Sequence, residues 1–155
     1  MSLTAQVEPY QDCLPELAAQ YEDHWRELAL DKEQPEAALD PMWEVYNQRD
    51  AMGQLLLVTL RERGALVGYF IGFIAPGLHY RRCLTYQMDI FRVLPSVRGR
   101  FGGKRLLRAV IAECKRRGVR RMFIGEKLHT PSGRLLEAFG FRPVEVHYSL
   151  WLGAD

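Results

Sequence analysis

The stretch from Val93 to Leu107 narrows the choice of fold more than any other part of this chain. Val93-Leu94-Pro95 reads as the end of a strand, and the residues from Gly103 onward read as a helix. Between them Arg98, Gly99, Arg100, Phe101, Gly102 and Gly103 form a turn rich in glycine and arginine. Glycine allows a backbone to come close to a ligand. The start of a helix offers unpaired N–H groups at the positive end of its dipole. Together these make a cradle for phosphate. Two familiar phosphate loops are excluded. A P-loop needs glycine five residues before its Gly-Lys pair and Ser or Thr after it, where this chain has Arg98 and Arg105. The dinucleotide fingerprint needs a second glycine where Phe101 stands.

Hydrophobic spacing supplies the surroundings. Leu14, Leu17, Ala18, Tyr21, Trp25 and Leu28 recur at helical steps and predict a helix over 11–29. A second helix is expected from Pro35 towards Met52, interrupted at Pro41 and stopped by Gly53. Residues 54–60 predict a buried strand, 61–64 a hairpin turn, and 65–74 a strand whose Gly68 and Gly72 permit close approach. A long strand over 84–94 leads into the glycine-rich turn. The helix after it spans 103–117, with Leu107, Val110, Ile111 and Cys114 on one face and Gly118 as its cap. A short strand over 119–125, a helix over 131–139 stopped by Gly140, and a last strand over 141–152 broken near Pro143 complete the pattern. Thr4 to Pro9 carries a weak trace of a first strand. The mixture is α/β.

Arg98, Gly99, Arg100 and Gly103, following Val93-Leu94-Pro95, resemble the pyrophosphate loop of the GNAT N-acetyltransferases. That loop usually runs Arg/Gln-x-x-Gly-x-Gly/Ala. Phe101 replaces its central glycine, and Gly102 stands one place late. Leu136-Glu137-Ala138-Phe139-Gly140-Phe141 is similar to the family's helix and Gly-Phe pair before the penultimate strand. Within the family, the His79-Tyr80 pair, Asp89 and the C-terminal spacing resemble bacteriophage-encoded members. The resemblance implies the family's α/β (α+β) fold, a mixed central sheet flanked by helices. It implies one domain over 1–155, with a helical lid over about 10–52 and a sheet and cofactor-binding core over 53–152. The implied activity is transfer of acetyl from acetyl-CoA to a primary amine. Phe91 and Val93 would lie on a strand that splays from its neighbour and hydrogen-bonds the pantetheine arm through its backbone. The N–H groups of Gly99, Arg100, Phe101, Gly102, Gly103 and Lys104 would hold the pyrophosphate, with charge from Arg98, Arg100 and Lys104.

The resemblance breaks at the proton donor. The family's frequent Tyr falls at Leu136, its Asn at His129 and its usual Ala at Ser132. Leu136 cannot give a proton to the departing thiolate. Another group or water does so, or the protein binds an acyl-CoA without transferring anything. Three residues are candidates for the base. Asp89 lies four residues before Val93, where some members carry a catalytic Glu, and strand alternation would put it on the face of Phe91 and Val93. An acid in an apolar strand is costly unless it is used or paired, so Asp89 is either the base or the partner of Arg81, Arg82 or Arg92. Glu126 ends the next strand and is either near the acetyl group or a solvated strand end. His79 follows a Pro-Gly turn and either faces the groove or is structural. Tyr148 reads as core.

Charge and composition limit the partners. Ten basic residues and one acid, Glu113, lie between Arg98 and Arg121, although the net charge is only +2. Residues 1–60 hold twelve acids against Arg26, Lys32 and Arg49, which favours a cationic acceptor, either a small amine or an amine on a protein. The basic stripe suits the three phosphates of coenzyme A. It suits nucleic acid less well, because aromatic residues are not interleaved with it. Cys13, Cys83 and Cys114 are odd in number and lack metal spacing, and the four histidines are scattered, so no metal is expected. No apolar run approaches the ~20 residues of a membrane span. Few, unpaired cysteines suit a reducing cytoplasm, and a homodimer is left open.

Overall fold

A computed structural model describes residues 2–153. Five strands form one mixed sheet in the order β1-β2-β3-β4-β5: β1 Leu3–Val7, β2 Leu55–Glu62, β3 Ala65–Gly77, β4 Tyr80–Val93 and β5 Arg121–Phe123. The first three pairings are antiparallel and β4–β5 is parallel. The weak trace near the N-terminus is a formed strand, because β1 pairs with β2 from Leu3–Glu62 to Val7–Val58.

The helices cover both faces. Helix α1 (Tyr10–Leu28) sets Cys13, Leu17 and Tyr21 against Leu55, Leu57, Tyr69 and Ile71. Helix α3 (Gly102–Arg116) sets Leu106, Leu107, Val110 and Cys114 against Leu56, Val58, Leu60 and Phe70 on the other face. The run Leu55 to Leu60 is therefore buried on both sides, which is why it reads as continuous rather than alternating. Pro41 does more than interrupt the expected second helix. The region contains one 3-10 turn at Pro35–Ala37, and α2 forms only over Trp43–Ala51. Helix α4 (Gly133–Ala138) closes the α3 face through Leu136.

Turn chemistry accounts for the connections. Arg63 and Gly64 both have positive φ, which joins β2 to β3 by a two-residue hairpin turn. Gly53, Gly118 and Gly140 end α2, α3 and α4 as expected, and the N–H of the following residue bonds back to Arg49, Cys114 and Leu136 respectively. Gly72 is required for another reason: a Cβ there would lie 2.3 Å from Cζ of the fully buried Tyr86.

The expected last strand does not form. Residues 141–153 pair with no strand, and Val144, Val146, Leu150 and Leu152 are exposed. Tyr148, expected in the core, is 94% exposed. The period-two pattern is real, but β5 offers only three residues to pair with, and Pro143 removes a backbone donor.

Candidate acetyl-CoA and amine site

The chain between β4 and α3 makes a 3-10 turn at Pro95–Val97 and then passes twice through left-handed conformations, at Gly99 (φ 79) and Phe101 (φ 61). Phe101 thus takes the conformation for which glycine is usual at that place, at a cost of roughly 1–2 kcal/mol. No side chain caps α3. Its first return bond runs from the Arg105 N–H to the Phe101 carbonyl at 3.0 Å, which leaves the N–H groups of Gly102, Gly103 and Lys104 free for an anion. Gly102 seats this helix end on the sheet, since a Cβ there would lie 2.8 Å from Leu60. At Gly103 the nearest atoms to a Cβ would be Leu135 at 3.1 Å and Phe91 at 3.5 Å.

The cations near this end divide into two sets. Arg98 pairs with Glu27 on α1 and donates to the Val93 carbonyl at 2.9 Å. Arg100 pairs with Glu62 at 2.6 Å. Both expected phosphate contacts are therefore held by carboxylates. Lys104, Arg105 and Arg108 instead line a depression of about 360 Å³ with Phe101, and the Lys104 ammonium lies 5.2 Å from the Phe101 ring centre. Sequence reasoning put Arg105 and Arg108 in the basic stripe without assigning them to the site.

Strand β4 forms the second wall. Its ladder with β5 runs from Thr85–Arg121 to Gln87–Phe123 and stops. The edge of β4 from Met88 to Val93, which includes Phe91, is thus unpaired by β5. Across β3, Ile71 faces Ile90 while Gly72 faces Met88, so Asp89 is the extra residue of a β-bulge. The bulge corrects the expected alternation. Met88, Phe91 and Val93 pack towards α3, whereas Asp89 joins Ile90 on the α1 side.

On that side Asp89 lies in an open cavity of about 380 Å³ with Tyr21, His24, Trp25, Tyr46, Asp40 and Lys127 among its lining. The Tyr46 hydroxyl donates to the Asp89 carboxylate. Among the described residues no arginine pairs with Asp89; the Arg92 guanidinium bonds instead to the Gln20 carbonyl. Desolvation by surrounding protein raises the Asp89 pKa, and the Tyr46 hydrogen bond opposes the rise. The residue remains open to water through the cavity, which tempers the shift.

Neither of the other two candidates is among the lining of this cavity. Glu126 accepts the backbone N–H groups of Ser132 and Gly133, both at 2.6 Å, and so caps the start of α4. His79 is exposed at the tip of the β3–β4 hairpin, ten residues along the chain from Asp89, or roughly 30 Å at strand spacing. Leu136 is buried in the core. No group of three His, Cys, Asp or Glu among the described residues could hold a metal.

Residues 14–141 match the Acetyltransferase (GNAT) family, so the chain belongs to that family. It is an acyltransferase, and its cofactor is acetyl-CoA. No curated protein matches the chain in sequence. Solved structures match it along nearly its whole length. A ribosomal-protein-alanine N-acetyltransferase from Brucella melitensis biovar Abortus 2308 is 18% identical, with TM-score 0.73, covering 99% of this chain and 100% of that one. A Clostridium acetobutylicum acetyltransferase solved with acetyl-CoA is 12% identical, with TM-score 0.69 and 97% of both chains covered. An aminoglycoside acetyltransferase from an uncultured soil sample is 15% identical, with TM-score 0.70, covering 99% of this chain and 100% of that one. At these identities the likeness is one of fold.

Proposed function

We propose that this enzyme acetylates a primary amine held in the cavity over Asp89. The observation that carries the reading is the bulge. It turns one carboxylate out of the apolar α3 face and into a cavity beside the open edge of β4. The residues present fit the cofactor. Free N–H groups at Gly102, Gly103 and Lys104 suit a pyrophosphate, the unpaired backbone of Met88–Val93 suits an amide-bearing arm, and Lys104, Arg105 and Arg108 suit the remaining phosphate. Bound acetyl-CoA supplies an acetyl group activated as a thioester.

The chain's own residues then do three things. Asp89 attracts the acceptor's ammonium and takes the proton that must leave before nitrogen can attack. Tyr46 holds that carboxylate by donating to it. Tyr21, Trp25 and Ile90 limit water around the nitrogen. The buried Leu136 leaves the sulfur's proton to water or to another donor. Glu126 and His79 stay outside this scheme as a helix cap and a hairpin tip. An amine panel with acetyl-CoA tests the proposal: thiol should appear only when an amine is present.

The same proposal covers the remaining organisation. The lid over 10–52 and the core over 53–152 act as one domain, because the cavity draws residues from both. The His79-Tyr80 pair and Asp89 support the bacteriophage-encoded type, and three free cysteines support a cytoplasmic setting. The uncovered apolar alternation over 144–152 supports a homodimer. Light scattering at two concentrations tests that state.

A further inference from the structure

The cavity over Asp89 is walled mainly by carbon. Trp25 and Leu28 come from α1, Leu39 and Pro41 from the segment before α2, and Ile90 from β4. Tyr21 and Tyr46 add aromatic rings that packing holds in place. Tyr21 stacks on Trp43 with ring centres 5.0 Å apart, and Tyr46 stacks on Tyr10 at 5.9 Å. Aromatic rings attract an ammonium as well as hydrocarbon. Among the described residues only three charged side chains line the space: Asp89, Asp40 and Lys127. His24 does not add a fourth, because burial pulls its pKa down to about 4 and leaves the ring neutral. Two carboxylates against one ammonium leave one net negative charge. The volume, about 380 Å³, falls within the range of small-molecule sites, about 300–1,000 Å³.

One net negative charge in an apolar space matches one ammonium on a hydrocarbon body. A second ammonium, or a ring of hydroxyls, would lie against carbon without a partner, which is costly. Glu33 and Glu36 of the lid are exposed and outside the lining, so they draw cations to the mouth without meeting them inside. We propose that the acceptor is a small primary monoamine with an apolar or aromatic body, an alkylamine or arylalkylamine, whose ammonium meets Asp89 while its hydrocarbon lies against Trp25, Leu28 and Leu39. The inference rests on the acetyl-transfer reading above. It separates the acceptor from polyamines and amino sugars. Selectivity then comes from burial of hydrocarbon, which grows with chain length until the cavity is filled.

The test measures thiol release from acetyl-CoA with matched amines: alkylamines from ethylamine to hexylamine, phenethylamine, diaminobutane and glucosamine. Along the alkyl series kcat/KM should rise by roughly three- to fivefold per methylene. Pentylamine should exceed diaminobutane, which has as many heavy atoms, by roughly tenfold or more. Leu39 is 38% exposed, so Leu39→Ser spares the core, and it should flatten the rise among the longer amines. Lys127→Met leaves two carboxylates unopposed and should move the pentylamine-to-diaminobutane ratio towards the diamine by roughly two- to fivefold; Asp40→Asn should move it the other way. Calorimetric titration of the same amines into the coenzyme A-loaded protein, which has no acetyl group to give, reads the order of binding without turnover. That order without any acetylation would sink the transfer reading and keep this inference. Acetylation that favours diaminobutane or glucosamine, or a series flat from ethylamine to hexylamine, would overturn the inference and keep the transfer.

Discussion

Replacing Asp89 with Asn separates a base from a structural carboxylate. The side chain keeps its shape and an oxygen that can accept from Tyr46, so the one hydrogen bond seen at Asp89 is preserved. No arginine pairs with Asp89 among the described residues, so no buried cation is orphaned. The penalty of several kcal/mol expected on breaking a buried ion pair therefore does not apply. Burial raises the Asp89 carboxyl pKa against the opposing Tyr46 hydrogen bond, so removing the charge should leave the melting temperature unchanged or a little higher. Basicity is lost entirely. The turnover rate at pH 7 should fall by roughly 10²–10⁴, the usual contribution of general acid–base catalysis, while acetyl-CoA binding stays the same. The loss should shrink at high pH, where the amine is already free. Steady-state thiol release and a melting curve on one preparation decide the matter. A variant that melts normally and turns over normally would refute the assignment; one that melts many degrees lower would mean that Asp89 holds the fold.

Further predictions follow from the loop, the buried histidine and the packing. Gly103→Glu places a carboxylate among the free N–H groups, so acetyl-CoA affinity should collapse in a calorimetric titration while circular dichroism stays native; normal binding would reduce the turn to a connection. The unfolded chain protonates His24 near pH 6.5, whereas the folded chain does so only at about 4. The unfolded state therefore holds the extra proton between those values. His24's contribution is constant above about pH 6.5 and declines towards pH 4, by roughly 3 kcal/mol in all. Urea unfolding at pH 7 and pH 5 measures this, and His24→Phe should flatten the difference. Gly72→Ala forces a methyl to within 2.3 Å of the Tyr86 ring and 2.7 Å of the Gln87 carbonyl, so the variant should lose at least about 1–3 kcal/mol of stability by urea unfolding.

The local rules made much of the scaffold legible before any coordinates. Glycines past the helix ends, the Arg63-Gly64 turn and the alternating apolar faces act through neighbours in sequence, and these appear where expected. The site was legible at the cradle, where glycines and a helix start lie within ten residues. It was not legible where distant residues decide. Arg98 and Arg100 are claimed by Glu27 and Glu62, which lie 71 and 38 positions away. Asp89 changes face because of its register against Ile71 and Gly72, which no alternation rule can foresee. Glu126 is fixed by the start of α4 rather than by its own strand. Tyr46 and His24 reach the site from separate parts of the lid, and their only sequence signal was the clustering of aromatic residues there. The C-terminal alternation was visible, but a pattern does not state its partner.

The central claim is that one cradle and one re-aimed carboxylate make an amine acetyltransferase. Its most direct test is to mix the protein with acetyl-CoA and a panel of primary amines, then follow free thiol and the mass of each amine together. The account predicts thiol release that depends on both protein and amine, with a product heavier by one acetyl group. Acetyl-CoA that binds but gives no acetylated amine from any member of a broad panel would contradict it.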